Sequence, residues 1–275
     1  MSAYKIRMNP FGALATRADD LVVEKEYAHS GGWEVSLVTF LRERAFPEGK
    51  GTLIDVGAHV GLVSVPVALR HPKVTVHAFE PHPGNFEGLK YNVELNHVQA
   101  QMRLHQCAVG EEDGVARFFP SPENTVDGRV EGASAQDVRH HPLPGRYGEE
   151  HREGHTVILS TLDRVLAALP LERPIVVKLD VQGQECAVLR GAQDLIKRVD
   201  ALLIEVWPYG LARAGETMES LAGLLRWRFS KFAPMLAPEV VPQPDTAENG
   251  LLLSLLRCLP WNGETAGYFD LVCLK

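Results

Sequence analysis

Apolar and polar segments alternate along the chain in a way that predicts regular strands and helices from about residue 52 onward. Short runs predict strands, listed in chain order as 52–56, 74–79, 101–109, 115–119, 157–160, 175–179, 201–206 and 268–274, of which the apolar, β-branched run 175–179 is typical of a buried parallel strand. Longer amphipathic segments predict helices at 60–70, 83–96, 162–169, 184–197 and 216–229. Strands that alternate with helices in this order favour an α/β fold with a mainly parallel sheet.

Two parts of the chain depart from this pattern. Residues 1–50 predict an N-terminal arm or cap with a helix near 35–44, ahead of a main domain over 51–275. Such an arm also suits a dimer contact, so a homodimer is one expected state. Between 121 and 156 the periodicity is lost in a stretch rich in Pro, Gly, Glu and His, which predicts a loop that covers a substrate. It contains His140, His141, His151 and His155, but no regular His–carboxylate spacing supports a metal, and we predict none.

Composition narrows the classes of function. The 275 residues are 45% hydrophobic and 23% charged, as is usual for a globular enzyme. A net charge of −7 disfavours a general nucleic-acid binder, so a small-molecule acceptor is preferred. No apolar run is long enough to cross a membrane, and the N-terminus lacks a signal-peptide core. We therefore expect a cytoplasmic protein without a nucleic-acid or membrane partner.

The first strand runs into two glycines that indicate a nucleotide-type site. Gly57 and Gly61 form G-x-x-x-G, which is neither the dinucleotide fingerprint nor a triphosphate loop. Glu80 ends the next strand, where an acid accepts hydrogen bonds from ribose hydroxyls. Asp55 would repel a pyrophosphate and suits a ligand with a positive amino group, such as S-adenosylmethionine (SAM). The alternative is a close turn that needs glycine for packing alone.

A second group of polar residues follows the later strands. Lys178 and Asp180 are two apart on a strand and therefore leave the same face, with Asp180 at the carboxyl end. They either form an ion pair that anchors loops or serve the transfer site. Glu205 is an acid on an apolar strand, and Trp207 and Tyr209 offer flat walls for a substrate pocket, although core packing explains Trp207 equally well.

Nine sequence blocks, taken together and in order, resemble those of the FkbM family of SAM-dependent methyltransferases. They are Asp55–Gly61 (DVGAHVG), Phe79–Phe86 (FEPHPGNF), Tyr91–Asn96 (YNVELN), Cys107–Gly110 (CAVG), Gly132–Ser134 (GAS), Thr161–Asp163 (TLD), Lys178–Glu185 (KLDVQGQE), Leu189–Gly191 (LRG) and Leu203–Glu205 (LIE). The resemblance covers about residues 50–210. It implies a class I methyltransferase (Rossmann-like) fold, in which a seven-stranded sheet has one antiparallel strand and helices on both faces. Family members typically methylate hydroxyls of sugars or polyketide-derived natural products.

The resemblance also implies roles toward SAM. The amino-acid end of SAM is assigned to Asp55, Gly57, Ala58 and Gly61. Glu80 is assigned to the ribose, and the adenine is assigned to Pro81, His82, Cys107 and Ala108. Asp180 lies in the block beside the reacting methyl group. Two positions depart from the family pattern: Gln182 replaces a Glu, and His59 replaces an Asn and is expected to be a turn residue facing solvent.

Transfer to a hydroxyl requires a base within hydrogen-bond reach of the acceptor. The candidates are Asp180, Glu205, His59 and His82, of which Asp180 is preferred. Substrate contacts are expected from Trp33, Glu34, Lys178, Trp207 and Tyr209. O-methylation is the leading hypothesis, and the residues leave N- and C-methylation open. Two other classes remain as alternatives, a nucleotide-dependent oxidoreductase and a non-catalytic SAM-fold partner protein.

Overall fold

The computed structural model describes residues 4–18, 20–121, 124–131, 152–258 and 267–275. The chain begins with a hairpin and two helices, which are β1 (Tyr4–Asn9), β2 (Gly12–Arg17), α1 (Leu21–Ser30) and α2 (Val35–Glu43). Helix α2 confirms the predicted helix near 35–44. The arm also contains strands β1 and β2, which the sequence pattern did not predict, and β2 is held by a partner distant in sequence. The Asn92 side chain bonds both backbone groups of Ala15, at 2.7 and 2.8 Å.

The main sheet contains eight strands in the described residues. They are β3 (Lys50–Val56), β4 (Lys73–Phe79), β5 (Met102–His105), β10 (Ile175–Leu179), β11 (Ala201–Val206), β12 (Lys231–Pro234), β13 (Gln243–Pro244) and β14 (Phe269–Leu274). Their order is β13-β12-β14-β11-β10-β3-β4-β5. Strands β11 to β5 are parallel, and β14 is antiparallel to both neighbours. This is the class I methyltransferase sheet, extended from the expected seven strands to eight by the two-residue edge strand β13.

Helices cover both faces of the sheet, as expected. After α2 they are α3 (Ser64–Arg70), α4 (Pro83–Leu95), α5 (Leu162–Leu166), α6 (Glu185–Arg190), α7 (Pro208–Arg213), α8 (Met218–Arg226) and α9 (Leu251–Leu256). Successive strand residues point to opposite faces, so Leu53 and Ile54 enter different cores. Ile54 packs with residues of α6, α8 and α9, whereas Leu53 packs with residues of α2, α3 and α4.

Several predicted elements are shorter than their sequence pattern suggests. The helix predicted from residue 60 begins at Ser64, because 59–63 form the turn that leaves β3. The helix predicted over 184–197 ends at Arg190, and the one predicted over 216–229 spans only α8. At Gly191 the backbone approaches another loop so closely that a Cβ would lie 2.0 Å from the carbonyl oxygen of Gly110. The strand predicted over 101–109 divides into two, and its second part joins another sheet.

This second sheet lies beside the carboxyl ends of the main parallel strands. Its strands are β6 (Ala108–Val109), β7 (Gly114–Phe119), β8 (Arg129–Val130) and β9 (His155–Ser160), in the order β6-β9-β7-β8. Although the 121–155 stretch is polar, five of its described residues are buried, namely Ser121, Thr125, Asp127, Arg129 and Arg152. An ion pair explains part of this burial, since Arg152 lies 2.5 Å from the carboxylate of Asp127.

Some sequence predictions fall elsewhere. His140, His141, His151 and the Gly132–Ser134 block lie outside the described residues. Within the described ranges, no helix has the length and apolar character that crossing a membrane requires.

Candidate cofactor and acceptor site

The turn after β3 brings the backbone unusually close to the end of β10. Gly57 has φ 85°, and a Cβ there would lie 1.9 Å from the carbonyl oxygen of Asp180. The amides of Gly57 and Ala58 both donate to the carbonyl of Phe79, at 3.1 and 2.9 Å. Only glycine fits this crossing without moving backbone, because it lacks a Cβ and tolerates positive φ.

A cavity with an empty volume of about 760 Å³ opens at this turn. Predicted cofactor residues that line it are Gly57, Ala58, Glu80, Pro81, Cys107, Ala108 and Asp180. Three other predicted residues lie outside the lining. Asp55 is fully buried behind the cavity, Gly61 (φ 87°) follows the turn, and His82 lines a neighbouring cavity. Sequence reasoning missed Asn85, which lies in the same block as Glu80, and it missed Phe118, Thr125 and Val126, which approach from distant segments.

Glu80 presents a fixed carboxylate to this cavity. One carboxylate oxygen accepts the backbone N–H of His59, and the other accepts that of His82, both at 2.9 Å. Asn85 donates a longer side-chain bond of 3.5 Å. Burial raises the pKa of Glu80 to about 7, and the hydrogen bonds only partly oppose that shift. The group is therefore held in place and titrates near neutral pH.

Lys178 links the carboxylates at the ends of the two central strands. Its Nζ lies 3.1 Å from Oδ2 of Asp180 and 3.8 Å from Oδ1 of Asp55. Ser64 donates to the other oxygen of Asp55 at 2.5 Å. Burial alone would lower the pKa of Lys178, but the neighbouring carboxylates raise it. The two interpretations of the Lys178–Asp180 pair are thus compatible, because the ion pair exists and both residues line the cavity.

A second cavity adjoins the first and shares four lining residues with it, which are Trp33, Val126, Asp180 and Gln182. Its empty volume is about 690 Å³, and Glu34, Glu205, Trp207 and Tyr268 are among its other lining residues. Sequence reasoning missed Tyr268, which precedes β14. Tyr209 lines neither cavity. It is 1% exposed and packs against Trp207, with 5.3 Å between the two ring centroids.

Gln182 stands between the carboxylates of Asp180, which lines both cavities, and Glu205, which lines the second. Its amide donates to Oδ1 of Asp180 at 2.8 Å and to Oε2 of Glu205 at 3.1 Å. A glutamate here would add a third negative charge, whereas the amide supplies a donor to each neighbour. Gln182 has φ 57°, and Glu34 and His59 are also left-handed. Strained backbone of this kind concentrates at functional sites.

Carboxyl groups around the second cavity have perturbed acidities. Burial, reinforced by nearby carboxylates, raises the pKa of Glu34 and of Glu205 well above the usual range. The same causes raise the pKa of Asp270 to about 6. Among the described residues, no Lys, Arg or His forms an ion pair with Glu34 or Glu205. Perturbed acids that converge on a cavity are typical of an active site.

His59 points inward, so the expectation that it faces solvent was wrong. Its Nε2 lies 2.8 Å from the hydroxyl oxygen of Thr125, and its Nδ1 is buried. Burial lowers the pKa of the imidazole to about 4, which makes it a weak base at neutral pH. Within the described ranges, no group of three or more His, Cys, Asp or Glu side chains is arranged to hold a metal ion.

Comparison with known proteins identifies the family. A sequence model described as the methyltransferase FkbM domain matches residues 55–224, which is more than half of the chain. The chain therefore belongs to the FkbM methyltransferase family, and its cofactor is S-adenosylmethionine. The first cavity fits that cofactor: the turn at Gly57 leaves room for close approach, and Glu80 offers a carboxylate to hydroxyl donors.

Three relatives illustrate the similarity. The chain is 36% identical over 162 residues to 31-O-demethyl-FK506 methyltransferase FkbM of Streptomyces tacrolimicus, covering 52% of this chain and 59% of that protein. It is 31% identical to Methyltransferase 1 of Beauveria bassiana, covering 52% and 58%. It is 25% identical to the hexuronic acid methyltransferase AglP of Haloferax volcanii, covering 63% and 62%. The chain thus spans less than two thirds of the length of these relatives.

Proposed function

We propose that this chain transfers a methyl group from S-adenosylmethionine to a hydroxyl of a small molecule, either a sugar or another natural product. The observation that carries the proposal is the shared wall of the two cavities. Asp180 and Gln182 line both, so a cofactor in the first would meet an acceptor in the second at these side chains. The names of the S. tacrolimicus and H. volcanii relatives, which specify a 31-O-demethyl compound and a hexuronic acid, support this class of acceptor.

The bound cofactor supplies an electrophilic methyl group on a sulfonium. The residues of the chain would orient the acceptor and remove its proton. We propose Glu205 as the base, because its pKa is raised and it lines the acceptor cavity. Asp180 is held by Lys178 at 3.1 Å and would orient the hydroxyl through its remaining acceptor capacity. Gln182 would keep the two carboxylates apart.

The aromatic residues of the second cavity suit a ring-shaped acceptor. Trp33, Trp207 and Tyr268 would pack against apolar faces of a sugar or polyketide, while Glu34 would accept from its hydroxyls. Lys178 would support Asp180 rather than contact the acceptor, since it lines only the cofactor cavity. Tyr209 would act by packing behind Trp207.

One observation favours a second candidate, N-methylation of an amine. Four carboxyl residues line the acceptor cavity, Glu34, Asp127, Asp180 and Glu205, and its lining contains no Lys, Arg or His among the described residues. Asp180 and Asp127 are already paired with Lys178 and Arg152, so Glu34 and Glu205 would be the two carboxyl groups that receive a cationic amine. An amine in its free-base form carries its own lone pair, so its methylation would depend less on Glu205.

The wider organisation is also a proposal. Residues 1–50 would form a cap, 51–275 the catalytic domain, and 121–156 a cover over the acceptor. Asn124, Val126 and Asp127 at the start of that segment line the acceptor cavity, which supports the last assignment. The net charge of −7 supports the absence of a nucleic-acid partner. We also propose that the protein is located in the cytoplasm and forms a homodimer.

The test is a methyl-transfer assay with SAM and matched hydroxyl and amine acceptors. For a hydroxyl acceptor, Glu205→Gln should lower kcat by about 10²–10⁴-fold. The exposed control Glu219→Gln should leave kcat unchanged. Because the pKa of Glu205 is raised, activity should fall with decreasing pH through a midpoint above that of an ordinary glutamate. Equal activity of Glu205→Gln and wild type would overturn the base assignment, and turnover of amines alone would favour the second candidate.

A further inference from the structure

A chain of hydrogen bonds joins the N-terminal arm to the cofactor turn through Asp20, Thr125 and His59. Asp20 is 2% exposed and caps α1, where Oδ1 accepts the amides of Val22 and Val23 at 3.1 and 3.0 Å. Its Oδ2 accepts both the backbone N–H of Thr125, at 3.2 Å, and the Thr125 hydroxyl. Every one of these contacts brings a donor to the carboxylate.

The direction of these bonds fixes the tautomer of His59. The Thr125 hydroxyl has one proton and gives it to Asp20, so its oxygen can only accept from the imidazole. Nε2 of His59, 2.8 Å away, must therefore carry a hydrogen. In a neutral imidazole the other nitrogen, Nδ1, is then an acceptor. The lowered pKa of His59, caused first by burial, keeps the ring neutral at physiological pH.

Nδ1 of His59 is a buried acceptor that the protein does not satisfy. It has no hydrogen-bond partner in the part of the chain that the structure describes. Leaving a buried polar group without a partner is unfavourable, because its desolvation is not compensated. The residue also holds a left-handed backbone, φ 52°, which is unfavourable for a side chain with a Cβ. The unsatisfied Nδ1 and the left-handed backbone therefore occur together at a residue that lines the cofactor cavity beside Glu80.

We propose that Nδ1 of His59 accepts a hydrogen bond from an O–H or N–H group of bound S-adenosylmethionine, and that Asp20 and Thr125 are positioning residues that hold the required tautomer. The inference rests on the cofactor assignment above. It gives His59 a binding role in place of the role of proton acceptor. Because Asp20 also caps α1, the same carboxylate links the order of the N-terminal arm to the geometry of the cofactor turn.

The test uses ¹⁵N-histidine-labelled full-length protein, with and without S-adenosylhomocysteine (SAH). The His59 signals are those that disappear in His59→Gln. In free wild type, we expect a protonated Nε2 and an unprotonated Nδ1. On addition of SAH, the Nδ1 resonance should move upfield as it accepts a hydrogen bond. A merely structural histidine would not show that shift.

Binding measurements on variants complete the test. Thr125→Val removes the hydroxyl at nearly constant volume and should weaken SAH binding about tenfold, by calorimetry. Thr125→Ser should restore affinity, and Thr156→Val on the exposed face of β9 should not change it. An Nδ1-protonated ring in free wild type would overturn the proposal. So would an unchanged Nδ1 signal at saturating SAH, which would leave the cofactor assignment intact. No SAH binding by wild type would overturn the cofactor assignment itself.

Discussion

Lys178 on β10 and Asp55 on β3 lie directly opposite each other on neighbouring parallel strands, with Nζ 3.8 Å from Oδ1. Both are at most 5% exposed in their side chains. Buried charges are retained when each has a partner, and here the pair stands at the carboxyl ends of the two central strands. The charge pair therefore shapes the floor of the cofactor cavity from within the sheet.

Removing this lysine should be strongly destabilising. Lys178→Met would leave Asp55 buried without a compensating charge, which costs about 3–5 kcal/mol. Urea unfolding measures the change, and Lys73→Met at an exposed position of β4 serves as the control. The double variant Asp55→Asn with Lys178→Met should lose less free energy of unfolding than the two single variants lose in sum. A Lys178→Met protein within about 1 kcal/mol of wild type would show that the pair behaves like a surface ion pair.

The glycine at the crossing of the two strands should not accept a methyl group. In Gly57→Ala the new Cβ would lie 1.9 Å from the carbonyl oxygen of Asp180, and neither backbone can move freely. We expect the free energy of unfolding to fall by about 3 kcal/mol or more, and we expect SAM binding to be lost. Gly223→Ala in α8, where a Cβ meets open space, should instead stabilise by about 1 kcal/mol. Equal melting temperatures for the two variants would contradict the close approach.

Cofactor affinity should depend on the ionisation of Glu80. Its pKa is raised to about 7, and only the ionised carboxylate can accept from both hydroxyls of a ribose. Affinity for SAM should therefore be full above pH 7 and fall up to about tenfold per unit below it. Calorimetry from pH 6 to 8 measures this dependence. Glu80→Gln should bind weakly with little pH dependence, whereas the exposed control Glu87→Gln should match wild type.

Acid should destabilise the protein partly through His77. Burial, followed by the neighbouring His105 ring, lowers the pKa of His77 to about 4, whereas an unfolded histidine titrates near 6.5. The unfolded state therefore binds the proton first, so the contribution is present above pH 6.5 and is lost as pH falls toward 4. His77→Phe should reduce this dependence in pH-resolved urea unfolding, and the exposed His29→Phe should not. Buried glutamates with a raised pKa, such as Glu80, change stability with pH in the opposite direction. Their contribution is the same in the variant and in wild type, so it cancels in the comparison.

The central sheet was predictable because its signals are local. Short apolar runs predict β3, β10 and β11, and the acids at their ends are visible in the sequence itself. The antiparallel final strand was also predicted, since it forms an apolar run with the same character. Strand β12 was missed because its four residues include a proline and depend on pairing with β14.

The cofactor-site residues that could be predicted from the sequence are those that belong to a motif. The glycine turn and Glu80 follow from spacing, whereas Thr125 and Tyr268 reach the cavities from segments that carry no motif. The orientation of His59 was misjudged for the same reason. Its partner Thr125 is 66 residues away in sequence, and Asp20, which holds Thr125, lies 105 residues before Thr125. Long-range hydrogen bonds of this kind leave no periodic signal in the sequence.

A crystal structure of the SAH complex tests the central claim most directly. We expect the ribose hydroxyls within hydrogen-bond distance of Glu80 and the sulfur directed toward Asp180, at the wall that the two cavities share. SAH bound elsewhere, or with its sulfur turned away from the acceptor cavity, would contradict the account.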